Sequence, residues 1–94
     1  QHIPDYVSKH SYMMFFVFTK NKQIRNKYLN SLRTGGVDAR VPWLPLSDQP
    51  MNSKLNVNNF LNSNKIYDNS LTLPIYNSMT DKEMKFVLNI SQNV

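Results

Sequence analysis

The chain has 94 residues, no Cys, and 11 Lys plus Arg against 6 Asp plus Glu, giving a formal charge of +5. A chain of this length buries only roughly 60–65% of the surface its unfolded form exposes, so it closes one modest core and cannot hold both a cofactor domain and a substrate domain. Zero Cys excludes a disulfide framework, a thiolate metal site and a Cys nucleophile, and the positive balance favours anionic partners without choosing among them.

Residues 1–94 read as a single domain that opens on Gln1 without an initiator Met, which points to a fragment or a processed end. Gln1 to Lys9 has no period and contains Pro4. Ser11 to Thr19 is dense in aromatic and β-branched residues, the pattern of a short strand buried on both faces. Its apolar run, Tyr12 to Phe18, is too short for a membrane span of about 20 residues, and no charged leader precedes it. The expectation is a soluble, cytoplasmic protein with no membrane contact.

Asn21 is placed to cap a helix over Lys22 to Arg33, in which Ile24, Tyr28, Leu29 and Leu32 recur on one face and Lys22, Arg25, Lys27 and Arg33 fall elsewhere. Thr34-Gly35-Gly36 ends it, and Val37 to Val41 reads as a short strand. Prolines at 42, 45 and 50 then forbid a helix interior or a central strand, leaving an ordered loop or extended arm. Met51 to Val57 is polar and indefinite, and Asn58 to Tyr67 has a weak helical pattern. Ser70 to Pro74 is a brief strand, and Thr80 with Glu83 forms a capping box that opens a last helix whose inner face carries Met84, Val87, Leu88 and Ser91. The class is α+β, a small sheet of about three strands covered by helices.

No catalytic constellation stands on its own. His10 and Ser11 are sequence neighbours and an extended chain points them apart; His2 and His10 are too isolated to hold a metal. The single Gly pair closes a helix instead of opening one, so no phosphate cradle is present. Aromatics from Met13 to Phe18 followed by Lys20 and Lys22 suit an RNA-stacking strand, but a run apolar on both faces favours a core strand. The Pro/Trp loop is the most informative piece. Arg40, Trp43 and Gln49 put a guanidinium fork, a flat aromatic and an amide on a stiff segment, as ligand-site loops do. The structural alternative, that Trp43 plugs the core and Arg40 pairs with Asp38 or Asp48, stays equally open.

The ordered series Gly36-Val37-Asp38-Ala39-Arg40, Trp43-Leu44-Pro45-Leu46 and Gln49-Pro50 is preceded by His10-Ser11-Tyr12 and followed by Leu73 through Glu83. Together they resemble the C-terminal part of the DegT/DnrJ/EryC1/StrS aminotransferases, over about Pro4 to Asn93. These are pyridoxal-phosphate-dependent enzymes acting mostly on nucleotide-linked keto-sugars, and the Arg-x-x-Trp-x-Pro form looks most like the branch that aminates the 4-position. The resemblance implies the small domain of a fold-type-I enzyme, a homodimer in its parent form. The large domain, absent here, supplies the Schiff-base lysine and most cofactor contacts, so no catalytic residue is expected in this chain and it should not transaminate alone. Arg40, Trp43, Ser47 and Gln49 would form one wall of the nucleotide-sugar site, with His10 and Ser11 at the entry to the central strand. Ser47 stands where the family commonly has His, and Leu44 where a Lys is common in the closest branch; each departure removes a polar sugar contact. The alternative reading is a small basic RNA-binding or protein-interaction module.

Overall fold

In a computed structural model, which describes residues 3–54 and 60–93, two strands and three helices follow the order β1 (Phe15–Phe18), α1 (Lys22–Thr34), α2 (Leu61–Asn69), β2 (Ser70–Leu73) and α3 (Asp81–Gln92). The tail of the 51–57 segment and the start of the 58–67 segment lie outside the described residues. Between α1 and α2 the Pro-rich arm makes two short 3₁₀ turns, Leu46–Asp48 and Pro50–Asn52.

Both ends of α1 are set by local chemistry. The Asn21 side chain accepts from the Ile24 amide at 2.9 Å, satisfying one of the free donors of the first turn. At the other end the Val37 amide donates to the Leu32 carbonyl at 2.9 Å and the Gly36 amide to Arg33 at 3.0 Å, the paired bonds of a Schellman close. Gly36 sits at φ +88°, in the left-handed region that glycine reaches without a Cβ clash.

The strands pair antiparallel, Phe15 opposite Leu73 and Phe18 opposite Ser70. The class is α+β, but the sheet has two strands plus one bridge where about three strands were expected. The Val37–Val41 stretch contributes only the bridge between Arg40 and Thr72. The reason is local: the Ala39 amide turns back to the Val37 carbonyl at 2.8 Å, which takes Asp38 out of the extended conformation, and at the next positions along the ladder Pro42 on this segment and Pro74 on the partner have no amide to give. Arg40 alone can extend the ladder, with bonds of 3.1 and 2.7 Å to Thr72. β2 is therefore the inner strand, where the strand after His10 was expected to be central, and among the described residues β1 pairs only with β2. That explains why β1 is not buried on both faces: Phe15 is 38% and Phe18 63% exposed, while Phe16 and Val17 are half-buried.

The core consists of Leu29, Leu32, Val37, Ala39, Leu71 and Val87, with Val17, Tyr28, Leu73, Met79 and Ile90 packed around it. Arg25 joins the buried face of α1, against its expected place on the solvated side. Its guanidinium lies 5.8 Å from the centre of the Tyr67 ring, and its Nε and Nη1 have no hydrogen-bond partner among the described residues. α3 opens on the expected capping box, the Thr80 amide donating to Glu83 at 2.8 Å and the Glu83 amide to Thr80 Oγ1 at 3.3 Å. The Tyr28 hydroxyl donates to the Ser91 carbonyl at 3.0 Å, fastening α3 to α1. No described helix is long and apolar enough to cross a membrane.

Candidate functional site

The bridge to Thr72 fixes the backbone of Arg40 on the outer edge of the sheet and turns its side chain to solvent. Arg33, in the last turn of α1, donates from Nε to the Ala39 carbonyl at 2.9 Å, so the segment is held from both sides. Arg40 engages Asp38 at two points, Nε to Oδ1 at 3.0 Å and Nη2 to Oδ2 at 2.8 Å. Of the alternatives open in the sequence, Asp38 is the partner. Hydrogen bonding to Arg40, helped by its charge and that of Arg33, holds the Asp38 carboxyl below the usual range. The same pairing raises the Arg40 guanidinium. Both groups stand in water, where such a pair orients side chains more than it stabilises the fold.

This pair forms part of the wall of two openings. A shallow one of about 770 Å³ also touches Arg33 and Gly36. A narrower one of about 330 Å³ runs past Met13, Met14, Thr72 and Tyr76. The Tyr76 hydroxyl is raised, first by desolvation and then by its hydrogen bond to Glu83.

Trp43 does not plug the core; it is 73% exposed. It lines a separate cleft of about 260 Å³ with Phe16, Pro45, Ile66 and Tyr67. The structure thus places Arg40 and Trp43 on one arm but in different clefts. Ser47 is buried and donates to its neighbour Asp48 at 3.0 Å. Gln49 Nε2 donates to the Leu44 carbonyl at 3.3 Å, and the Asn52 amide side chain to Leu46 at 2.6 Å. Ser47 and Gln49 are therefore braces of the arm and line none of these three clefts. His10 lies apart from them as well: its Nδ1 accepts from the Tyr12 amide at 2.9 Å, and Tyr12 takes φ +48°. That turn delivers Met13 and Met14 to the Arg40 cleft.

Three residues at this place went unnoticed in the sequence: Thr72, Tyr76 and Arg33. Thr72 and Tyr76 are too far along the chain to be linked to Arg40 by spacing. Arg33 was legible only as a last-turn cation of the helix. The described His, Asp and Glu side chains form no cluster of three suited to a metal ion.

A family model for the DegT/DnrJ/EryC1/StrS aminotransferases matches residues 1–92. No curated protein matches. Among solved structures the chain is similar to a protein from Streptococcus pneumoniae assigned as a sugar aminotransferase and captured in its PMP form. The TM-score is 0.69 at 17% identity, over 85% of this chain and 22% of that one, so the likeness speaks to fold. The chain spans about a fifth of the length of the solved chain it matches.

Proposed function

Because this chain belongs to the DegT/DnrJ/EryC1/StrS aminotransferase family, we propose that it is the C-terminal small domain of a pyridoxal-phosphate-dependent sugar aminotransferase and supplies one wall of the nucleotide-sugar site. The parent reaction moves an amino group, with glutamate the expected donor, to the carbonyl carbon of a keto-sugar. The parent is a cytoplasmic homodimer in this reading.

The reading rests above all on Arg40. Its backbone is clamped to Thr72 while its guanidinium faces two open clefts, already oriented by Asp38. A planar fork suits a diphosphate better than an ammonium does, and a fork held in place loses less freedom on binding. An incoming diphosphate would take the place of the Asp38 carboxylate on that fork. Trp43 offers a flat face to the other cleft, suited to stacking a base or the apolar side of a sugar ring. Ser47 and Gln49 act indirectly, by keeping the arm in one shape. His10 does the same for the turn beside Met13.

The described residues do not fit the cofactor itself. When bound, pyridoxal phosphate supplies the group that carries the amino nitrogen between substrates, and the protein anchors it through a desolvated lysine. Every lysine here is exposed, and none lines the clefts around Arg40 and Trp43. Cofactor binding is accordingly assigned to a larger domain of the same enzyme.

The test uses the complete product of the gene that encodes this sequence, with glutamate, a nucleotide-linked 4-keto-sugar and 2-oxoglutarate formation as the readout. Arg40→Ala is expected to raise KM for the sugar nucleotide about ten-fold, the loss of one charge-assisted contact, with a smaller change in kcat. Absence of amino transfer, or a wild-type KM in the variant, overturns the reading.

A further inference from the structure

On the side of β2 away from Trp43, a groove of about 200 Å³ runs between β1 and α3. Phe15, Leu73, Ile75, Met79, Met84 and Leu88 line it, and its lining carries no charged residue in a chain of net charge +5. Met84 and Leu88 are one helical turn apart, so they stand together on one face of α3, 46% and 48% exposed. The groove is floored by Val87 of the core and by Leu73 and Met79 packed against it. Open water over such a surface is costly, and apolar patches of this kind mark contact sites.

The chemistry narrows the occupant. The groove is smaller than the roughly 300–1,000 Å³ of small-molecule sites and has almost no polar groups to orient a ligand. It suits one or two apolar side chains of a protein, with the methionines able to adapt to their shape. Position narrows it further. Leu73, Pro74 and Ile75 border both this groove and the cleft that holds Arg40. Whatever fills the groove is thereby brought alongside Arg40, where the rest of the proposed substrate site has to stand. In the solved relative, this fold is 22% of one continuous chain.

We infer that this groove is the seat of the larger, cofactor-bearing domain of the parent enzyme, which inserts apolar side chains between Met84, Leu88 and Phe15. The inference rests on the proposed function and names the face by which the two parts meet.

The experiment compares the 94-residue chain with the complete gene product. Hydroxyl-radical footprinting is expected to oxidise Met84 freely in the short chain and at least about ten-fold more slowly in the complete product, because a docked surface is protected. Met84→Lys with Leu88→Lys is expected to leave the short chain folded, as both positions are half exposed. In the complete product the pair should let a protease release the small domain while the cofactor's visible absorbance persists. Leu61→Lys, on α2, should do neither. An active enzyme whose Met84 is oxidised equally in both forms, and whose lysine variants resist protease like the wild type, overturns the inference but spares the proposed function. A complete product that neither binds cofactor nor transfers an amino group overturns both. A short chain that dimerises through this face, with the dimer lost on Leu88→Lys, gives the groove to a second copy and overturns the inference alone.

Discussion

Gly35 and Gly36 are adjacent, yet the structure requires glycine at each for a different reason, and substitution by alanine separates the two. Gly35 has φ −75°, an ordinary helical value, so alanine there gains about 0.4–1 kcal/mol by restricting the unfolded chain. A Cβ at that position would sit 2.6 Å from Ile90 Cγ2 and 3.3 Å from the Ser31 carbonyl oxygen. The Ile90 methyl is fixed by β-branching and cannot swing away, so α3 must shift off the end of α1; overpacking of this kind costs about 1–3 kcal/mol. The steric cost wins by about 1–2 kcal/mol, which lowers the melting temperature by roughly 5–15 °C in a domain of this size. The assay is thermal unfolding followed by circular dichroism for Gly35→Ala, Ile90→Ala and the double variant. The double-mutant cycle should recover most of the Gly35→Ala penalty, a coupling of about 1 kcal/mol or more. A Gly35→Ala protein that melts at or above the wild-type temperature, or a penalty unchanged in the Ile90→Ala background, refutes the reasoning. At Gly36 the nearest atom to an added Cβ is Phe86 Cζ at 3.7 Å, so space is ample and only the left-handed backbone is strained. Gly36→Ala should cost about 1–2 kcal/mol with no coupling to Ile90.

Glu83 is held below the usual glutamate range by its hydrogen bonds to the Thr80 side chain and amide and to Tyr76. Its contribution is therefore present at neutral pH and is lost as pH falls through and below the ordinary glutamate value; Glu83→Gln should flatten that part of a melting-temperature profile between pH 7 and pH 3. Arg25, 3% exposed with two donors unpartnered among the described residues, should be replaceable by Met with unchanged or higher melting temperature, since an unsatisfied buried polar group costs about 1–3 kcal/mol; a fall of several degrees would show that its contact with Tyr67 outweighs that cost. Arg40→Lys should leave the melting temperature of the chain unchanged, because both partners of the Asp38 pair are solvated, yet weaken sugar-nucleotide binding in the complete enzyme; a lower melting temperature in the short chain would assign Arg40 to the fold instead. Single-stranded RNA at low salt should bind only weakly and with no dependence on Phe18, despite the exposure of that ring; a loss of affinity in Phe18→Ala would revive the RNA-binding reading.

The parts of this structure governed by near neighbours were legible in the sequence. Asn21, the Gly pair and the Thr80–Glu83 box mark helix ends because capping is a matter of three or four residues. The parts governed by distant partners were not. Arg25, Leu29 and Leu32 are spaced as a buried helical stripe, but the charge of Arg25 argued for solvent, and only the Tyr67 ring brought by α2 makes its burial intelligible. Val37 to Val41 has strand composition, and its failure to form more than one bridge follows from the tight turn at Asp38 and from prolines at 42 and 74, where the ladder would need amides. The same division runs through the candidate site. Arg40 and Trp43 stand out in the sequence as chemistry on a stiff arm, whereas their separation into two clefts, and the bracing roles of Ser47 and Gln49, depend on how that arm folds over β1 and α2.

The arm between Arg40 and Leu61 leaves the sheet at the bridge to Thr72 and returns, through α2, to that same strand. Its two ends are thus both tied to β2, one directly by the bridge and the other through α2, independently of what lies between. Under polymer statistics a doubling of such a loop adds only about 0.6 kcal/mol to the cost of closing it. Insertions, deletions and exchanges between Pro42 and Phe60 can therefore accumulate with little effect on the buried residues Leu32 and Leu71. Selection for a different ligand can reshape the surface around Trp43 while the core and the position of Arg40 stay as they are.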